Sequence, residues 1–127
     1  MLPNFLLPET VVRQDGAGPD FDVSSDAGKT LLLTLGITRV IEQESVDLMI
    51  DGSADGKTWS DKPVAVFPQK FYCGTYTLYL DLRGRPDVRF LRVRWKLNRW
   101  GRGEPTPLFG IYVFAQNAAG VIRSAVA

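Results

Sequence analysis

The chain has 127 residues, of which 45% are hydrophobic and 23% are charged. These values are typical of one folded domain with a single core, and they exclude disordered, collagen-like and membrane-protein compositions. The 15 basic and 14 acidic residues leave a net charge of +1, so no overall field draws the protein towards nucleic acid or an anionic membrane.

Two residue types that carry much of enzyme chemistry are scarce. The sequence has no histidine and one cysteine, Cys73, so neither a histidine-based nucleophile system nor a Cys/His metal site can form. Asp47 and Asp51 share a strand face, but four residues of strand separate them by roughly 13 Å. Glycosidase carboxylates lie closer together than that. We therefore predict a protein that is not an enzyme and that binds no metal or cofactor.

Residues 1–20 predict an extended N-terminal arm, because Pro, Gly and Asp interrupt any helical pattern. Five apolar residues in it look exposed: Phe5, Leu6, Leu7, Val11 and Val12. No basic residue precedes Arg13, unlike a secretion signal. No later stretch approaches the roughly 20 apolar residues that cross a bilayer. We expect cytoplasmic synthesis without a signal peptide, and no membrane partner.

From residue 21 onwards, short runs of alternating apolar and polar residues lie between turn signals, and no helical apolar period lasts three turns. The predicted strands cover residues 31–38, 45–51, 64–67, 76–82, 89–97 and 108–115. This pattern predicts an all-β fold, an antiparallel β-sandwich of jelly-roll type, over residues 21–116. Residues 117–127 are expected to form a last edge strand or a flexible tail.

Two predicted strands carry opposite charges. The acidic residues are Glu42, Glu44, Asp47 and Asp51, and the basic ones are Arg89, Arg92, Arg94, Lys96, Arg99 and Arg102. We expect the two strands to be neighbours with a solvated, charge-paired face, since opposite charges on facing strands are mildly stabilising. A calcium site at Asp51 and Asp55 is an open alternative. Nucleic acid is not an expected partner, because alternation places Trp95 on the core side, away from the cations.

Four aromatic residues lie in or beside predicted loops: Trp59, Phe71, Tyr72 and Trp100. Aromatic side chains at such positions stack on sugars or fill a partner's pocket. We expect Trp59 to cover one end of the core and Trp100, in a glycine-rich loop, to be exposed. The candidate partner-binding residues are Phe5, Leu6, Leu7, Trp59, Arg99, Trp100 and Arg102.

One sequence pattern resembles known families. Residues 46–59 form a strand that ends in Ser-x-Asp-Gly-x-x-Trp, and residues 88–95 form an Arg-aromatic-aliphatic-Arg-Val strand. The pattern resembles discoidin-type (F5/8 type C) and other galactose-binding-like jelly rolls. It is more closely similar to small β-sandwich proteins of tailed-phage and prophage structural modules. The resemblance covers residues 31–115 and specifies a fold more strongly than a function.

The resemblance implies a structural protein of a phage or prophage virion, such as a capsid decoration or tail-associated protein. Its partners would be other protein subunits, in a homo-oligomer or within the virion. The alternative is a carbohydrate-binding module of the galactose-binding-like type that uses Trp59 and Trp100. Discoidin lectins are usually longer and commonly have a bridging cysteine pair, which this sequence lacks, and that difference favours the structural function.

Overall fold

The computed structural model of the protein describes residues 2–100 and 106–119. Two antiparallel β-sheets pack face to face, which confirms the predicted all-β sandwich. The strands of the described residues are β1 (Asn4–Val12), β2 (Gly16–Ala17), β3 (Phe21–Asp22), β4 (Thr30–Arg39), β5 (Glu44–Ser53), β6 (Ala65–Val66), β7 (Gly74–Asp81), β8 (Phe90–Arg99) and β9 (Phe109–Asn117). Within these ranges, no helix is long and apolar enough to cross a membrane.

The strands form two sheets with different edges. Sheet A has the order β1-β9-β4-β7. Sheet B has the order β2-β8-β5-β6, and β3 also pairs with β8. The alternation predicted for β4 and β8 is confirmed, since one residue in two is buried in the core that the sheets share. These core residues are Leu31, Leu33, Leu35, Ile37, Leu91, Val93, Trp95 and Leu97.

The N-terminal segment is extended, as predicted, but it belongs to the sandwich. Residues Asn4–Val12 pair antiparallel with β9 as the edge strand β1. Leu6 and Leu7 are 0% and 5% exposed, so these two side chains are core residues rather than partner contacts. Leu6 and Leu7 are buried because β1 forms hydrogen bonds to the edge of β9, which is apolar on both faces and lies beside the core.

A glycine in the middle of β4 makes room for an aromatic ring. Gly36 is paired with Tyr112 of β9, and a Cβ at position 36 would lie 2.0 Å from Tyr112 Cε2. The ring of Tyr112 therefore lies directly over the glycine backbone on the outer face of sheet A. Glycine normally weakens a strand, and an aromatic side chain from a neighbouring strand compensates by covering it.

Replacing Gly36 with alanine is expected to lower the free energy of unfolding by about 1–3 kcal/mol, because the added methyl group displaces the Tyr112 ring. The measurement is urea unfolding followed by circular dichroism. In a Tyr112→Ala background the same replacement should cost little or be stabilising, since alanine loses less backbone entropy than glycine. An equal cost in both backgrounds would contradict this packing.

Candidate binding surfaces

The outer face of sheet B carries Asp47 and Asp51 of β5 and Arg92, Arg94 and Lys96 of β8. β5 pairs with β8, which places Asp47 opposite Lys96 and Asp51 opposite Arg92. The prediction that the acidic and basic strands are neighbours is therefore confirmed. Trp95 is 9% exposed and lies in the core, also as predicted.

Asp51 is the centre of this charged face. Arg94 donates two hydrogen bonds to its carboxylate, at 2.9 and 3.2 Å, and Arg92 donates a third at 3.2 Å. The hydrogen bonds to Asp51 raise the pKa of Arg94. Asp51 pairs across the strands as predicted, but it is only 2% exposed and so is not solvated. One carboxylate thus binds two guanidinium groups and offsets part of the positive charge of β8.

Trp59 covers this network rather than the end of the core. Its bridge partner is Ser53, the last residue of β5, which lies on the same outer face as Asp51. The Arg92 guanidinium carbon lies 4.4 Å from the centre of the Trp59 ring, a cation–π contact. Residues paired across antiparallel strands point to the same side of the sheet. Trp59 therefore points to the outer side with Ser53, and not into the core.

The loop before Trp59 is closed by Ser53 and Asp55. Ser53 Oγ donates to the Thr58 carbonyl at 2.6 Å and accepts from the Gly56 amide at 2.9 Å. The Asp55 carboxylate accepts from the Thr58 amide at 2.8 Å, and this bond is the main reason why the pKa of Asp55 is below its usual range. Among the described residues no group of three acidic, histidine or cysteine side chains is placed to hold a metal ion, and the Asp51 carboxylate considered for calcium is bound by Arg92 and Arg94.

A cleft of about 550 Å³ lies at the other end of β5. Its lining residues are Val40, Ile41, Glu42, Gln43, Glu44, Phe71, Tyr72 and Trp100. Trp100 packs edge-to-face on Phe71, with 6.2 Å between the ring centres. Trp100 is 58% exposed, as the sequence predicted, and Tyr72 is 75% exposed. Two aromatic side chains of this cleft are therefore open to a ligand.

Glu44 organises the chain beneath these rings. It is 1% exposed, and its carboxylate accepts hydrogen bonds from the amides of Ile41, at 2.9 Å, and Leu108, at 2.8 Å. Glu44 is therefore not part of the solvated, charge-paired face that the sequence predicted. No local pattern indicates its role, because its two amide partners lie in separate loops. Arg99, which the sequence predicted as a partner-binding residue, donates a hydrogen bond to the carbonyl oxygen of Glu42 in the wall of the cleft. Arg102 lies outside the described residues.

The structure separates the two tryptophans that the carbohydrate-binding alternative combined. Trp59 is bridged to Ser53, whereas Glu44 lines the cleft of Trp100, and these residues are the two ends of β5. Nine steps of strand make the two ends roughly 30 Å apart. One small glycan cannot contact both rings, so only Trp100 belongs to a candidate sugar site.

The outer face of sheet A is aromatic. Phe5 packs edge-to-face on Phe114 and Tyr112, with ring centres 5.0 and 5.8 Å apart. A shallow depression of about 630 Å³ is lined by Phe5, Pro8, Glu9, Thr34, Tyr112 and Phe114. Only Glu9 among these six is charged. The sequence identified Phe5 alone, although the apolar residues on both faces of β9 were the signal for the other two rings.

Asp51→Asn is expected to lower the free energy of unfolding by about 1–3 kcal/mol, because two arginines lose a buried anionic acceptor. Urea unfolding at neutral pH measures the change. Asp47→Asn is the matched control on the same strand face; Asp47 is more exposed, and the change should stay within about 0.5 kcal/mol. Equal losses of stability in the two variants would contradict the conclusion that the Asp51 carboxylate stabilises the fold by binding Arg92 and Arg94.

The sequence matches no protein-family model, and no curated protein matches it either.

Proposed function

We propose that this protein is a non-enzymatic assembly protein that binds other protein subunits through the outer face of sheet A. The observation that supports this most is the surface cluster formed by Phe5, which is 42% exposed, and the partly exposed rings of Tyr112 and Phe114. The solvent-facing side of an antiparallel sheet is normally polar, and contiguous exposed apolar patches mark interaction sites. Aromatic residues are also enriched at the centres of protein interfaces.

The geometry of this face favours a protein partner. Tyr112 lies down over Gly36, so the surface is broad and shallow rather than a deep ligand pocket. Tyr79 of β7 is 59% exposed and is paired with Leu32, which extends the uncharged face beyond the three rings. A surface already held in place by packing loses little entropy when a partner binds.

We further propose that the partner subunits belong to a phage or prophage virion, in which this chain is a capsid decoration or tail-associated protein. The support is the resemblance of residues 31–115 to small sandwich proteins of phage structural modules. The lack of histidine in the sequence agrees with a structural role, since histidine is the most frequent general acid–base residue.

The test is the protein content of virions purified from the organism that encodes the chain. Mass spectrometry should find the wild-type chain in the particles. A tagged Phe5→Ser variant, supplied in trans, should be incorporated at least about tenfold less, the effect of losing about 1.4 kcal/mol of binding free energy. Phe5 is 42% exposed, so the variant is expected to fold, which circular dichroism checks.

The matched control is Val66→Ser, which changes an exposed apolar residue of sheet B and should leave incorporation unchanged. Particles that lack the wild-type chain would contradict the virion assignment. Equal incorporation of the Phe5 and Val66 variants would contradict the assignment of the binding surface to sheet A.

The cleft at Trp100 supports a second candidate function, glycan binding. Tyr72 and Trp100 present exposed rings in a cleft that is also lined by the exposed polar residues Glu42 and Gln43. Sugar sites combine such aromatic surfaces with a few polar groups that fix the hydroxyls. The cleft therefore has the right elements for one sugar unit.

Trp100→Ala is expected to weaken glycan binding at least about tenfold, because it removes the stacking surface. A glycan array followed by calorimetric titration of the best ligand measures the effect. Trp59→Ala is the control and should leave the affinity unchanged, since Trp59 lies at the other end of β5. An array without binding, or the same loss for both variants, would eliminate this function.

A further inference from the structure

One edge of sheet A is long and regular. Strand β7, Gly74–Asp81, has eight residues and contains neither proline nor lysine. Its register with β4 is unbroken from the pair Thr30 and Asp81 to the pair Ile37 and Gly74. In the sheets formed by the described residues, β7 pairs with β4 alone, so its second side is an open edge.

The alternation of hydrogen-bonded and non-bonded residue pairs between β4 and β7 identifies which main-chain groups of β7 face away from the sheet. The Leu82 amide donates to the Lys29 carbonyl at 3.0 Å, in the register that continues from β7 and β4. Bonded and non-bonded pairs alternate in an antiparallel ladder, so the even-numbered residues of β7 bond to β4. Thr75, Thr77 and Tyr79 therefore direct their N–H and C=O groups away from the sheet.

The other sheet edges formed by the described residues have features that hinder pairing with another strand. β1 contains Pro8 and Glu9, and its pairing with β9 is irregular at two places. β2, β3 and β6 have two residues each. Prolines, charges, irregular pairing and short strands are the usual protection against edge-to-edge association. β7 lacks this protection within residues 74–80, which indicates that its edge has a partner.

We propose that two copies of this chain pair antiparallel through their β7 strands, about a two-fold axis at Thr77. The two four-stranded sheets A would then continue as one sheet of eight strands. This interaction uses the main-chain groups at the edge of sheet A and not the cluster of Phe5, Tyr112 and Phe114, so it goes beyond the proposed function and does not depend on it.

The side-chain pattern of β7 is self-complementary in this arrangement. A two-fold axis at Thr77 places Thr75 of one copy opposite Tyr79 of the other, and pairs of this kind are favourable across strands. On the inner face, Tyr76 lies opposite Leu78 of the second copy. Both residues are only partly buried against the core of one copy, so pairing covers more of their apolar surface. About six main-chain hydrogen bonds would form.

The charges at the ends of β7 also favour an antiparallel second copy. Asp81 is the one charged residue of the strand and lies at its end. Antiparallel pairing keeps the two Asp81 residues roughly 27 Å apart, whereas parallel pairing would place them side by side.

The test introduces a charge of either sign at Thr77, the residue on the two-fold axis, and measures the mass of the protein in solution. In Thr77→Lys and in Thr77→Glu, two like charges meet across the axis, so each variant alone should be a monomer of about 14.1 kDa by analytical ultracentrifugation. The wild-type chain should have twice that mass, and an equimolar mixture of the two variants should regain it. Thr77 is exposed, and its main-chain groups do not bond to β4, so the substitutions leave the β4 ladder intact.

The control is Val66→Lys, which places a charge on the exposed edge of sheet B and should leave the dimer unchanged. Nitroxide labels on Cys73, the single cysteine, give a second readout: the two labelled backbones should lie roughly 27 Å apart in the dimer. A wild-type monomer at millimolar concentration would overturn the proposal. So would a mixture that stays monomeric, or a dimer that Phe5→Ser dissociates and Thr77→Lys does not.

Discussion

The ladder between β5 and β8, held by the buried carboxylate of Asp51, is the constraint on which the surfaces of sheet B depend. A slip by one residue would turn Asp51 into the apolar core and separate it from Arg92 and Arg94. The same register places Ser53 where it bridges Trp59, and Glu44 where it accepts the amides that shape the Trp100 cleft. Both ends of the ladder therefore depend on the register that Asp51 and its two arginines help to hold.

The two sheets offer different chemistry to a partner. The charges of sheet B are largely directed at one another, as the three hydrogen bonds to Asp51 show, and Trp59 covers part of that network. The outer face of sheet A is aromatic and nearly uncharged, and its β7 edge is not paired with any other described strand. An apolar face and an open edge are features that protein subunits recognise, which is why both proposals about protein partners concern sheet A.

Local pattern predicted much of this fold, and its failures have one physical cause. The alternation in β4 and β8 and the neighbouring acidic and basic strands were predictable, because period and charge are local properties. The placement of Leu6 and Leu7 was not, because their burial depends on pairing with β9, about a hundred residues later. Trp59 was assigned to the core for the same reason: its side of the sheet follows from its pairing with Ser53.

The sequence by itself determined the class of fold, the strand periods and the lack of histidine chemistry, because each depends on residue type and local spacing. Only the tertiary structure decided which rings share a surface and which edge stays open among the described strands. Phe5, Tyr112 and Phe114 meet because β1 pairs with β9, and Trp59 and Trp100 do not because β5 separates them. Strand order is set by contacts between distant parts of the chain, and no local pattern encodes it.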